Sequence, residues 1–207
     1  MNEPVNTKKT PIIGVWNLAN CVTWLGIAAA VLAIYFALAG NARIAMLVFI
    51  VSGLCDLFDG RVARMFKRTD VEKAFGIQLD SFADTVSFVV FPAVFLLTLT
   101  AAPWAVVLAI LYILAGITRL CWFDITTDGD TKYFAGVPVT YMALVLPLVF
   151  VIVNKAAPDL IPAFTAASLA VMGILYVLNI RVKKPGGLWY AIFGVLAIVL
   201  AVLLLVL

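Results

Sequence analysis

Four aspartates carry the chemistry that this sequence can do. Asp56 and Asp59 lie three residues apart, and Asp80 and Asp84 lie four apart. The chain has only 11 Asp and Glu in 207 residues. These four sit at the mouths of two apolar segments, where a carboxylate is costly unless something compensates it. On helices, spacings of three and four bring side chains to one face. Two antiparallel helices joined by a loop would then aim both pairs at one spot. Four carboxylates there make a hard oxygen-donor site suited to Mg²⁺, Mn²⁺ or Ca²⁺. Their charge suffices for two divalent ions, and a paired-metal site is one way to drive phosphoryl displacement. Gly60 follows Asp59, and Gly76 lies four residues before Asp80, so a bulky phosphate could approach the backbone there. Ala63 leaves similar room, and Arg64 can grip a phosphate with two parallel hydrogen bonds. The chain has no histidine, which excludes His-based catalysis and His metal ligands. Cys21, Cys55 and Cys121 fall in apolar runs at unrelated spacings, which suggests small apolar fillers rather than a zinc or disulfide framework.

The elements that must position these groups are membrane helices. The chain is 65% hydrophobic and 12% charged, with a mean hydropathy of +1.16, whereas a soluble domain carries about a quarter charged residues. Apolar runs of about 20 residues recur, each long enough to cross a bilayer. The runs are continuous rather than alternating, which favours helices over a barrel. The expected fold is an all-α polytopic bundle of about seven spans, near 14–39, 43–60, 76–100, 104–124, 136–153, 160–180 and 187–207. Short connections at 40–42 and 102–103 make neighbours antiparallel. The run at 11–39 far exceeds a signal-peptide core of about 7–15 residues and reads as a retained first helix. Residues 1–207 read as one integral membrane domain, with no low-complexity segment and no nucleic-acid partner.

Basic residues orient the bundle. With a cytoplasmic N-terminus, Lys8, Lys9, Arg61, Arg64, Lys67, Arg68, Lys73, Arg119, Lys132, Arg181, Lys183 and Lys184 share one side, leaving only Arg43 and Lys155 opposite. The positive-inside bias therefore puts the aspartates at the cytoplasmic face. Two competing readings are weaker. Ion pairs with Arg61, Arg64 and Lys73 would explain one aspartate more easily than four in two facing pairs. A cation transporter would spread its acids through the bilayer depth. Trp104, Trp122, Trp189 and Tyr190 lie near span ends and read as interfacial belts; Asp128 and Asp130 read as solvated loop.

The motif Asp56-x2-Asp59-Gly60-x2-Ala63-Arg64, a spacer of 11 residues, then Gly76-x3-Asp80-x3-Asp84 resembles the signature of the CDP-alcohol phosphatidyltransferase family. Every fixed position of that signature is matched, and the spacer at 65–75 is long for the family. The resemblance implies a six-helix core, here with a C-terminal extra. It implies two divalent cations on Asp56, Asp59, Asp80 and Asp84, with Asp84 also the general base. It implies a CDP-diacylglycerol site lined by Gly60, Ala63 and Arg64, a lipid bilayer as solvent, and a homodimer, for which Gly173 offers a small packing residue. Asn20 and Thr23 resemble the family's N-terminal Asn-x-x-Thr element near the nucleotide.

The acceptor leans towards L-serine on three further stretches. Gly60-Arg61-Val62-Ala63-Arg64 together with residues 78–88, then Arg119-Leu120-Cys121-Trp122-Phe123-Asp124, then Phe134-Ala135-Gly136-Val137-Pro138, resemble the members that use serine. Trp122 and Asp124 depart from that pattern, which usually has Arg and Asn there. Arg119 could bind the serine carboxylate or a substrate phosphate, and Asp124 could meet the ammonium. Inositol phosphate and glycerol 3-phosphate are the alternative acceptors. The implied setting is a bacterial or archaeal cytoplasmic membrane.

Overall fold

The computed structural model describes residues 12–126, 133–183 and 187–206. Lys8, Lys9, Asp128, Asp130, Lys132 and Lys184, used in the sequence reading, lie outside them. The chain is a polytopic helical membrane protein. Its elements in order are α1 (Leu18–Leu38), α2 (Ala42–Arg64), α3 (Asp70–Asp84), a π-helical turn (Thr85–Val90), α4 (Phe91–Leu99) and α5 (Pro103–Thr126), followed by β1 (Tyr133–Ala135), α6 (Met142–Ala156), α7 (Ile161–Val177), β2 (Arg181–Lys183) and α8 (Gly187–Val206). Short 3₁₀ turns precede α6 and α7.

Among the described residues, five helical segments are long and apolar enough to cross a membrane. α2 also runs 23 residues, but Asp56, Asp59, Arg61 and Arg64 occupy its last turns, so its apolar stretch is shorter. α3, the π turn and α4 together form one of the five, Asp70–Leu99. That segment starts six residues before the expected span at 76. Thr69 is the reason: its Oγ1 accepts from Glu72 N at 3.3 Å, while Glu72 Oε2 accepts from Thr69 N at 2.7 Å. This reciprocal capping box launches the helix early. Much of the 65–75 spacer is therefore helix rather than loop. Thr69→Ala is expected to cost about 1 kcal/mol, read as a lower melting temperature of the detergent-purified protein.

α1 and α2 form a tight antiparallel hairpin. Ala19, Thr23, Gly26, Ala30, Ala33 and Ala37 make a buried stripe of small residues on α1, which lets the two backbones approach closely. The hairpin turns at Gly40, whose φ of +77° is a left-handed conformation. Gly40 N donates to Ala37 O and Asn41 N to Phe36 O, the paired bonds of a Schellman stop. Inside the bundle, Phe49, Phe88, Phe91 and Phe95 form a chain of rings with centroids 4.5–6.0 Å apart. β1 and β2 pair antiparallel, Tyr133 opposite Lys183, and tie the segment before α6 to the segment before α8. Gly173, expected to serve packing between chains, is buried within this chain, with Tyr112 and Ala115 of α5 as its neighbours.

Candidate active site

The two helices meet as their spacing requires. Asp56, Asp80 and Asp84 each offer a carboxylate oxygen within 4.8 Å of the other two. Asp59 stands beside this trio rather than within it: its Oδ2 accepts from Thr23 Oγ1 at 2.8 Å, which turns it towards α1. Thr23 thus acts on the site through Asp59. Beneath the carboxylates, Ser52 Oγ donates to Gly26 O at 2.9 Å, and Ser87 Oγ lies 2.9 Å from it.

Arg61, Arg64 and Lys73, the partners of the competing reading, form no ion pair with the cluster. Among the described residues, the one ion pair within 4 Å is Lys73 with Asp70, on exposed side chains. Asp84 is buried, and its Oδ1 has no hydrogen-bond partner. A buried carboxylate oxygen without a donor costs several kcal/mol in a low-dielectric setting. Three converging carboxylates, one with an orphaned oxygen, therefore fit a hard divalent cation. Asp59, with Oδ2 already engaged, would be the most peripheral donor to such an ion.

A cleft of about 270 Å³ opens over the trio. Asp56, Asp59, Asp80, Asp84, Gly60 and Arg64 line its polar end. At Gly60 an added Cβ would meet nothing within 4 Å, so that end is open to a bulky group. The same cleft runs along α2 as far as Ile50, about 13 Å from Asp59 at 1.5 Å per residue. There its walls are apolar: Ile50 and Leu54 of α2, Leu144 of α6, and Phe193 and Ala197 of α8. The cleft is thus polar at one end and hydrocarbon-like at the other.

Other expected residues separate by position. Ala63 is buried and lines a second cavity of about 220 Å³ with Asn17, Lys67, Arg68 and Glu72, between α1, α2 and the start of α3. Gly76 faces that side too: a Cβ there would lie 3.4 Å from Arg68 and 3.6 Å from Asn20 Oδ1. Asn20 is engaged structurally, its Nδ2 donating to Val15 O at 2.8 Å and its backbone N to Asn17 Oδ1 at 2.9 Å. Arg119 is buried and lines the main cleft, with its guanidinium 4.7 Å from the Phe123 ring centroid. Its Nε has no hydrogen-bond partner. Asp124 is not among the cleft-lining residues; both its carboxylate oxygens accept from Ser81 Oγ, at 3.0 and 2.9 Å.

The aromatics divide. Trp104 and Trp122 are about half exposed, at 51% and 54%, as interfacial residues are. Trp122 is absent from the cleft wall, so its departure from the usual arginine faces outwards. The side chain of Trp189 lies outside the described residues. Tyr190, expected in the belt, instead lines the cleft, and Arg61 lies 4.9 Å from its ring centroid. Tyr141 and Phe193, both in the cleft wall, bring their rings to 5.3 Å. Sequence reading missed Tyr141 and Phe193 and placed Tyr190 in the belt, because their contribution depends on α6 and α8 folding back over α2. No local spacing signals that.

The CDP-alcohol phosphatidyltransferase family model matches residues 16–203. A CDP-diacylglycerol–serine O-phosphatidyltransferase of Helicobacter pylori (strain 26695) is 29% identical over 181 residues, 83% of this chain and 73% of that protein. One of Saccharomyces cerevisiae is 36% identical over 125 residues, 55% of this chain and 44% of the yeast protein. An archaetidylserine synthase of Methanothermobacter thermautotrophicus is 30% identical over 132 residues, 62% of this chain and 55% of that protein. The chain thus spans less than half the length of the yeast relative. Since the family match runs from the first helix into the last and takes in every fixed position of the aspartate motif, the chain belongs to the CDP-alcohol phosphatidyltransferase family.

Proposed function

We propose that this protein, acting as one membrane domain, transfers a phosphatidyl group from CDP-diacylglycerol to L-serine, giving phosphatidylserine and CMP. One observation carries the reading: three converging carboxylates, Gly60 and Arg64 stand at the head of a single cleft whose far walls are apolar. Such a cleft suits a substrate with a charged diphosphate at one end and hydrocarbon at the other. The names of the similar proteins from Helicobacter pylori and yeast favour serine as the acceptor.

Asp56, Asp80 and Asp84, with Asp59 at the edge, would hold divalent cations, Mg²⁺ or Mn²⁺ by donor type. Bound there, such ions supply charge neutralisation on the diphosphate. The chain's own residues do the rest. Gly60 leaves space for the diphosphate, and Arg64 binds its oxygens. The cavity at Ala63, with Asn17 and Arg68, suits the cytidine, and Gly76 keeps the gap between Arg68 and Asn20 narrow. The apolar walls on α2, α6 and α8 receive the first part of the acyl chains. Arg119, buried with an unpartnered Nε, binds the serine carboxylate and presents the hydroxyl to Asp84. Asp84 takes the hydroxyl proton as the serine oxygen bonds to the phosphorus that carries diacylglycerol. The bond from that phosphorus to the bridging oxygen breaks, and CMP leaves with that oxygen. Asp124 has a positioning role, holding Ser81 next to Asp80. The placement of basic residues supports a cleft that faces the cytoplasmic leaflet, and the family resemblance favours a homodimer.

An acceptor screen tests this reading. Purified protein with CDP-diacylglycerol is expected to release CMP with L-serine and not with inositol phosphate or glycerol 3-phosphate; CMP release with one of those and none with serine overturns the serine assignment. Arg119→Gln is expected to raise the KM for serine about 10- to 100-fold, the loss of one charge-assisted interaction of about 1.5–3 kcal/mol, with the KM for CDP-diacylglycerol little changed.

A further inference from the structure

Directly after Asp84, the chain abandons α geometry for the π-helical turn Thr85–Val90. Two residues beyond that turn is Pro92, which has no N–H. No α-type bond can therefore run from residue 92 to Phe88 O, while the turn itself pairs carbonyls five residues on, as Phe91 N does with Val86 O. In a membrane an unpaired carbonyl is costly. Phe88 O, inside the turn, takes a donor from another helix: Tyr112 Oη of α5 donates to it at 2.7 Å. Tyr112 is 1% exposed.

A second hydroxyl extends this link. Tyr176 Oη of α7, also buried, lies 3.2 Å from Tyr112 Oη and 3.3 Å from Val139 O. Its single proton serves one of these at a time. Val139 sits between Pro138 and Thr140, which both line the cleft. The two tyrosines therefore join the turn behind Asp84 to the opposite rim of the same cleft.

α5 follows the π turn at three successive levels. Tyr112, Gly116 and Arg119 are spaced by four and three, so they share a face, and all three are buried. Tyr112 bonds Phe88 O. Gly116 lies against Val89, where an added Cβ would come within 2.7 Å of Val89 Cγ2. Arg119 lines the cleft with Asp84.

We infer that Tyr112 and Tyr176 are positioning residues, whose hydroxyls clamp the π turn to the 138–140 rim and so hold Asp84 and Arg119 in register across the cleft. This rests on the proposed phosphatidyl transfer for its kinetic readout, though not for its structural one. Neither tyrosine is among the cleft-lining residues; their hydroxyls reach the backbone carbonyls of Phe88 and Val139.

The test uses the full chain in lipid nanodiscs, comparing wild type with Tyr112→Phe, Tyr176→Phe and the double variant. Each keeps its ring and loses one hydroxyl. Tyr176→Phe leaves the donor to Phe88 O intact, so it remains informative should Tyr112→Phe fail to fold. Three quantities are read: melting temperature, Mn²⁺ affinity, and kcat and KM for CMP release. Tyr112→Phe is expected to lower kcat at least tenfold with the KM for CDP-diacylglycerol within twofold, and to weaken Mn²⁺ binding at least threefold. Tyr176→Phe is expected to act in the same direction. The double variant should fall no further than Tyr112→Phe, because the two hydroxyls form one link. Folded variants with kcat and Mn²⁺ affinity both within twofold of wild type overturn the inference, whatever their melting temperature. A wild type that binds Mn²⁺ but transfers to no acceptor refutes the proposed function instead, and the clamp is then judged on Mn²⁺ affinity alone.

Discussion

Asp84→Asn is expected to cut serine-dependent CMP release by about 10²–10⁴-fold, the usual contribution of a positioned proton acceptor. The amide is nearly isosteric but cannot accept the serine proton. Asp84 is the most enclosed member of the trio, with one oxygen lacking any donor. CDP binding, measured by calorimetry with Mg²⁺ present, should weaken far less than turnover, because Asp56, Asp80, Arg64 and the Ala63 cavity all remain. An Asp84→Asn protein with CMP release near wild type removes the general-base assignment. The matching change at Asp59 is expected to be milder, since Thr23 already occupies one of its oxygens.

Removing divalent cations should be just as severe. Dialysis against a chelator is expected to reduce CMP release to background, and Mg²⁺ or Mn²⁺ should restore it. Without cations, a diphosphate in the cleft would face Asp56, Asp80 and Asp84 directly. Two like unit charges 4 Å apart repel by about 4 kcal/mol at an effective dielectric near 20. A single such contact thus costs about a thousandfold in affinity, and the substrate would meet several. Asp56→Ala and Asp80→Ala should each raise the cation concentration needed for half-maximal rate. Undiminished turnover in excess chelator would defeat the metal assignment.

Much of this was legible from spacing alone. Asp56 with Asp59, and Asp80 with Asp84, had to share helix faces, and hydropathy required those helices to lie in a membrane. The capping box at Thr69 and Glu72 was present in the sequence as well, a local signal that the reading of 65–75 as a loop passed over. Position within the cluster was less accessible. Asp59 is set aside from the trio by Thr23, 36 residues away. Asp124 is drawn off to Ser81, 43 residues away. Ala63 and Gly76 share a motif with Gly60 and Arg64, yet Ala63 lines a second cavity and Gly76 faces Arg68 and Asn20, because α3 packs against α1.

The sequence by itself determined the chemistry at the head of the cleft and the solvent in which it works. Residue type decides what a carboxylate cluster can bind, and hydrocarbon content decides where the chain can fold. Both are properties of short stretches. Tertiary structure alone decided that Asp59 turns aside from the other three aspartates, that α6 and α8 supply part of the apolar wall, and that Tyr112 donates to the Phe88 carbonyl. Those outcomes depend on which helices come to lie side by side, and no periodicity within one helix specifies the partner that its polar groups will find.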